Sequence, residues 1–245
     1  MSALDGTTGR RRIYLMRHGN VDYLAPEVVR SRSTRDVVLS PRRRQEASAA
    51  GRAFAHVPFD RAICSGYPRA RETAEIVLSC IESAPALETE PELEEIRGAH
   101  MSVKSRKELI ATMSFYFSKA AEPGATMLEG GEAFASAQAR AVGAIEKLLG
   151  EPDWKQILVV AHEGINRLVL SWATGAGLAA TNAFEQDTGC INVLDFDMVP
   201  GESAPEVARI LIKAVNLTPY NYLKHGMNLT SLEAIFSRDD GRDQI

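Results

Sequence analysis

The chain has no uninterrupted apolar run of the roughly 18 residues that a membrane-spanning helix needs, so no membrane contact is expected. It has only three cysteines, Cys64, Cys80 and Cys190, and no pair of them has Cys-x-x-Cys metal or redox spacing. A disulfide scaffold is therefore excluded, and buried reduced thiols in a cytoplasmic protein are the expectation. Positive charge is not in excess either. The net charge is −4, so bulk electrostatics gives no reason to expect a nucleic-acid partner. Residues 1–12 contain no apolar core of the kind that marks a secretory leader. No internal repeat or low-complexity linker divides the chain.

What remains is the composition of an ordinary globular protein: 245 residues, 45% hydrophobic and 24% charged. A single domain is expected over 12–238. Residues 1–11, with Gly6, Thr7, Thr8 and Gly9 followed by arginines, are expected to be a loose, solvated tail.

The most informative stretch is Ile13-Tyr14-Leu15-Met16-Arg17-His18-Gly19-Asn20. A short apolar run stopped by a glycine reads as a buried strand. Arg17 and His18 then sit where the strand runs out, which is where open α/β sheets bind ligands. The pattern recurs. Arg61-Ala62-Ile63-Cys64 reads as a strand, Ser65-Gly66-Tyr67-Pro68 as a turn, and Arg69 lies just inside the helix that follows. Lys155 to Ala161 is the strongest strand, apolar enough to be buried on both faces, and it ends on His162-Glu163-Gly164 before a helix over 165–172. Helices are also expected from Ser40-Pro41 to about Phe54, over 103–119 and over 132–149, with a short one over 230–236. Further strands are expected at 87–89, 190–196 and 207–216. The segment 21–38, with Pro26 and several arginines, reads as a loop beside the pocket.

Two histidines and two arginines thus fall at or near the ends of three strands. Arginines clamp a phosphate dianion and neutralise its oxygens. A neutral imidazole can attack phosphorus and carry the phosphoryl group. A second imidazole can hydrogen-bond its oxygens, and a protonated carboxyl can supply the leaving oxygen with a proton.

These blocks resemble the histidine phosphatase superfamily in its phosphoglycerate-mutase-like branch. Arg17-His18-Gly19 matches the signature whose histidine is phosphorylated, and Cys64-Ser65-x-x-x-Arg69-Ala70-x-x-Thr73-Ala74 matches the second, phosphate-binding block. Leu93-x-Glu95-Ile96 matches the proton-donor segment, Gly130-Gly131-Glu132 with Arg140 a third block, and Val159-Val160-Ala161-His162-x-Gly164-x-x-Arg167 the last. Asn216-Leu217-Thr218 is similar to a C-terminal Asn-x-Thr.

The resemblance implies a three-layer α/β/α sandwich around a mixed, mostly parallel sheet, with a helical cap insertion at about 96–131. It implies a metal-independent phosphomonoester hydrolase, without cofactor, acting through a phosphohistidine on a small phosphorylated metabolite, in a homodimer or tetramer. His18 would be the nucleophile and Glu95 the general acid and base. Arg17, Asn20, Arg69 and His162 would hold the phosphoryl group. Glu92 and Glu94 are rivals to Glu95 by position.

The departures bear on specificity. Glu163 replaces the glycine that usually follows the second histidine, and either contacts a substrate or faces solvent. Val21-Asp22-Tyr23 stands where glycolytic mutases carry Trp-Asn, and Arg43 stands in place of a glycine. No tandem arginine follows Glu95, although Tyr23 and Arg97 are candidate substrate contacts, and Lys104, Arg106 and Lys107 are available to an anionic substrate. Two rival functions remain open: a cofactor-dependent phosphoglycerate mutase, and a non-catalytic phospho-ligand-binding member of the fold.

Overall fold

Alternation along the strands sets the architecture. In β1 (Gly9–Arg17), Ile13 and Leu15 face one apolar cluster and Met16 the other. In β4 (Gln156–Ala161), Ile157, Val159 and Ala161 face the first cluster and Leu158 and Val160 the second. A strand whose two faces are both apolar needs a cover on each side. The computed structural model describes residues 6–21, 44–98, 115–202 and 204–236, and it supplies both covers.

Helices α1 (Arg44–Phe54) and α2 (Pro68–Leu78) cover one face, burying Ala50, Phe54, Ala70, Ala74 and Val77. Helices α3 (Phe134–Gly150) and α4 (Glu163–Ala173) cover the other with Phe134, Ala141, Ile145, Ile165 and Leu168. The remaining strands are β2 (Arg61–Cys64), β3 (Leu87–Thr89), β5 (Ile191–Val199) and β6 (Glu206–Leu217), and α5 (Ser231–Phe236) closes the described chain. The sheet order is β3-β2-β4-β1-β5-β6. The first four strands are parallel, β5 runs against β1, and β6 runs against β5. This is the expected mixed, mostly parallel three-layer sandwich.

The parallel register aligns the strand ends that matter. Arg17 lies beside Ala161 and Cys64 beside Val160, so His18, Ser65 and His162 emerge together. Among the described residues no helix is long and apolar enough to cross a membrane.

The N-terminal expectation needs correction. Gly9 to Arg12 are not a solvated tail but the first four of the nine residues of β1, paired with β5. The Arg10 Nε donates to Asp197 Oδ1 at 2.7 Å, and Arg12 forms a two-pronged pair with Asp195 at 2.6 and 2.8 Å. Arg11 donates to the Leu149 carbonyl and stacks 4.9 Å from the Trp154 ring centre. The carboxylates that order these arginines lie more than 180 positions away in the chain. The helix expected over 103–119 is described only from Phe115, where the chain forms turns that bury Tyr116 and Phe117 against Phe134. The loop at 21–38 beyond Val21, the helix start at Ser40-Pro41, and Tyr23, Arg43, Lys104, Arg106 and Lys107 lie outside the described residues.

Candidate active site

His18 is carried past the end of β1 by two backbone bonds, its N–H to the Ala161 carbonyl at 3.1 Å and its carbonyl from the Gly189 N–H at 3.2 Å. The next peptide is fixed by Thr73 of α2, whose hydroxyl accepts from the Gly19 N–H at 3.0 Å. The imidazole is 2% exposed. Its Nδ1 lies 2.6 Å from the Gly19 carbonyl, which assigns the ring proton to Nδ1. Nε2 therefore keeps its lone pair, and it accepts from Arg69 Nε at 3.1 Å. Burial, with Arg69 and Arg17 beside it, pushes the His18 pKa well below that of a free imidazole. A neutral ring with Nε2 exposed to an electrophile is the form a nucleophile requires.

Arg69 sits in the first turn of α2, 2% exposed, with its guanidinium 4.7 Å from the Tyr67 ring centre. His162 caps α4, fully buried, with its ring centre 5.1 Å from that of His18. Its Nε2 lies 2.7 Å from the Ser65 hydroxyl. Ser65 Oγ also accepts from the Tyr67 N–H at 3.4 Å and can give its own proton to His162 Nε2. That tautomer puts the His162 proton on Nδ1, a buried atom with no partner among the described residues. Burial, then Arg69, His18 and Arg17, keep this imidazole neutral as well. The pocket thus offers a donor at His162 Nδ1, two guanidinium groups, and the N-terminus of the 11-residue α4.

Glu95 reaches the same helix N-terminus. Its Oε2 accepts from the Gly164 N–H at 3.3 Å and its Oε1 from the Ile96 N–H at 2.9 Å. A Cβ at position 164 would lie 2.6 Å from Glu95 Oε1, so this close approach requires glycine. Burial raises the Glu95 pKa, and Glu163 adds to the rise. The two backbone N–H groups and Arg69 oppose it. The net direction favours a carboxyl that holds its proton. The segment carrying it is braced by Arg140, which pairs with Glu132 at 2.7 Å and donates to the carbonyls of Glu94 at 2.8 Å and Glu95 at 3.2 Å. Of the rivals, Glu92 is exposed and Glu94 is buried. Neither donates to or accepts from the α4 N-terminus in the bonds described.

The other expected residues fall as follows. Arg17 is 3% exposed, donating from one guanidinium nitrogen to the Gln186 carbonyl and forming an ion pair through NH2 with Glu163 Oε2 at 3.0 Å. Asn20 is half-buried at the pocket edge, and its backbone N–H donates to Glu46 at 3.1 Å. Arg97 is exposed, with its backbone paired to Glu132. Glu163 does not take the solvent-facing one of the two positions anticipated for it. It is 4% exposed and turned inward between Arg17 and Arg167, away from solvent.

Sequence reasoning missed the segment 185–190. Its Gln186 carbonyl holds Arg17, its Gly189 N–H holds the His18 carbonyl, and its Cys190 carbonyl accepts the Arg17 N–H at 3.0 Å. Asn216, in the left-handed conformation at φ 54°, pins this segment by bonds to the Asp187 N–H and carboxylate at 2.8 and 2.9 Å. The Asn-x-Thr motif was the one signal pointing there. Among the described residues no group of three His, Cys, Asp or Glu side chains is arranged to hold a metal ion.

Comparison with known proteins agrees with this geometry. The model of a protein family described as the histidine phosphatase superfamily (branch 1) matches residues 13–202. An adenosylcobalamin/alpha-ribazole phosphatase of Salmonella typhi is 24% identical over 185 residues, 75% of this chain and 90% of that protein. A 2-carboxy-D-arabinitol-1-phosphatase of Triticum aestivum is 26% identical over 212 residues, 85% of this chain and 41% of that one. Among solved structures, a mycobacterial glucosyl-3-phosphoglycerate phosphatase in complex with VO3 superposes with a TM-score of 0.66 at 21% identity, covering 84% of this chain and 99% of the other.

Proposed function

The chain belongs to the histidine phosphatase superfamily and is a histidine-type phosphatase; we propose that it hydrolyses a small phosphomonoester through a phosphohistidine at His18, without a metal ion. The observation that carries this reading is the protonation pattern of the pocket. Two buried imidazoles are kept neutral beside two guanidinium groups, while the Glu95 carboxyl at the α4 N-terminus is pushed toward its protonated form. Separated pKa values of this kind assign nucleophile and acid.

In the first step the phosphoryl oxygens compete for the N–H groups of Arg69, Arg17 and His162 Nδ1. The His18 Nε2 lone pair, no longer engaged by Arg69, forms the N–P bond. The P–O bond to the leaving group breaks, and Glu95 gives that oxygen its proton. In the second step Glu95, now a carboxylate, takes a proton from water. The water oxygen bonds to phosphorus and the N–P electron pair returns to His18. Arginines and the α4 N-terminus stabilise the charge on the equatorial oxygens throughout. The names of the relatives support small phosphorylated metabolites as the substrate class.

The test is hydrolysis of p-nitrophenyl phosphate with EDTA present, wild type against His18→Ala. Wild-type turnover that disappears in the variant is expected. Turnover that survives His18→Ala sinks the phosphohistidine, and turnover abolished by EDTA sinks metal independence. Phosphoryl transfer between hydroxyls without release of inorganic phosphate would identify a mutase instead.

A further inference from the structure

Glu163 stands at a position where the family usually has glycine, and its carboxylate is fully engaged. Oε2 forms an ion pair with Arg17 NH2 at 3.0 Å and accepts from the Ser231 hydroxyl at 2.8 Å. Oε1 accepts from Arg167 Nε at 3.2 Å and NH2 at 2.9 Å. Arg167 NH2 also reaches Glu185 Oε2 at 2.9 Å, and Glu185 Oε1 accepts from the Ser231 N–H at 3.0 Å. The bonds form a closed ring that joins the end of β1, the first turn of α4, the 185–190 segment and the start of α5. Each of Arg17, Glu163, Arg167 and Ser231 is buried.

We propose that Glu163 is a positioning residue for phosphate binding: it fixes the Arg17 guanidinium, and Ser231 of the C-terminal helix fixes Glu163 in turn. The proposal rests on Arg17 gripping the phosphoryl group, as in the reading above. An arginine held by Gln186 at one nitrogen and Glu163 at another does not have to lose rotamer freedom when the ligand arrives. An opposing argument has to be weighed. A carboxylate near the pocket repels a phosphate dianion, so on charge alone its removal would tighten phosphate binding. Contact favours positioning. Glu163 separates two buried guanidinium groups, and without its charge Arg17 and Arg167 repel each other across the space it held. Arg17 would then be displaced from the orientation the pocket needs. The two arguments predict opposite signs, so one titration separates them.

The experiment is calorimetric titration of the full chain with inorganic phosphate, for wild type, Glu163→Gln, Ser231→Ala and the double variant. Steady-state kinetics on p-nitrophenyl phosphate and a thermal melt accompany each. Glu163→Gln keeps an acceptor oxygen but removes the charge between Arg17 and Arg167, and is expected to weaken phosphate binding about tenfold. Ser231→Ala is expected to weaken it roughly threefold, because one of the anchors on Oε2 goes. The double variant should bind no worse than Glu163→Gln alone, since Ser231 acts through the carboxylate. KM should rise with kcat changing less, the pattern of lost uniform binding. If Glu163→Gln does not fold, Ser231→Ala decides alone: unchanged phosphate affinity overturns the proposal. Equal or tighter phosphate binding by a folded Glu163→Gln also overturns it and leaves the functional reading standing. A wild type that binds no phosphate overturns both.

Discussion

Strand β1 begins and ends in arginines, and its two ends use them in different ways. At the N-terminal end Arg12 lies directly opposite Asp195 in the antiparallel register, and Arg10 opposite Asp197. Each guanidinium faces a carboxylate one strand away and keeps 27% of its side chain in water. At the C-terminal end Arg17 is 3% exposed and lies across a parallel register from Ala161, which offers it no charge. Its partners come instead from loops and a helix start, and burial, with Arg69 and Arg17 adding to it, holds two imidazoles neutral beside it. The same residue type is a rivet at one end and a source of positive field at the other. Register and burial make the difference: Arg10 and Arg12 meet carboxylates one strand away with water beside them, whereas Arg17, paired with Glu163 from the start of α4, is sealed beside two titratable imidazoles on which its charge acts through little water.

The sharpest break of this comparison is to remove the group the field acts on. His18→Ala should lower kcat by at least about a thousandfold, as loss of a nucleophile does, with its melting temperature close to that of the wild type. Arg17→Ala should cost roughly a hundredfold or more in kcat/KM, the usual loss for a group that stabilises transferring charge. Arg12→Ala, five residues earlier on the same strand, should leave kcat/KM unchanged. Equal losses from Arg12→Ala and Arg17→Ala would erase the distinction between the two ends.

Next in size is the carboxyl facing the field. Glu95→Gln should lower kcat by about a hundredfold to ten-thousandfold with a poor, alkyl leaving group, and much less with p-nitrophenolate, which needs no proton. The pH profile follows from the shifts. His18 works neutral, and its pKa is depressed, so kcat/KM should hold on acidification through the ordinary imidazole value of 6.5 and fall only below it. Glu95 works protonated, and its pKa is raised, so activity should persist above the ordinary value of 4.5 and fall as pH rises through the higher one. Stability carries the same sign for the histidines. Below about pH 6.5 the unfolded chain takes up protons that the buried rings refuse, so the melting temperature should drop as pH falls. An acid limb centred at or above 6.5 would remove the field from the account.

What could be seen in the sequence divides along the same line. Strand ends, helix starts and the residues between them are local, so Arg17, His18, Arg69 and His162 announced themselves by position, and the sheet and its covering helices came from periodicity. Glu95 was placed by its motif, but the reason for it, an approach to Gly164 that tolerates no Cβ, lies 69 residues away. Arg10, Arg11 and Arg12 looked like a solvated tail because nothing within reach of them in sequence carries the opposing charge; Asp195 and Asp197 do so from the antiparallel strand. Glu163 was recognised as a departure, but its partners Arg17 and Ser231 could not be, since a pairing across separate elements leaves no spacing to read. The 185–190 segment has no periodicity of its own, and it holds Arg17 and His18 through backbone carbonyls and an N–H group, which almost any residue supplies.

The smallest predicted effect concerns the neutral end of β1. Asp195 is fully buried and gripped by both prongs of Arg12, with an Arg10 nitrogen 4.0 Å away. Removing a buried partner is costly when it strands a charge, but here Arg12 keeps access to water and can be re-solvated. Asp195→Ala should therefore destabilise the protein by about 1–3 kcal/mol, nearer the loss of charge-assisted hydrogen bonds than that of a sealed ion pair. For a chain of this size that corresponds to a fall in melting temperature of a few degrees, roughly 2–4 °C per kcal/mol. The kcat/KM of the folded variant should match wild type, because β1 is still held by β4 along its catalytic half through Arg17↔Ala161. A loss of activity larger than the loss of folded protein would mean that the ion pairs at one end of the strand set the geometry at the other. The two ends would then have to be read as a single device.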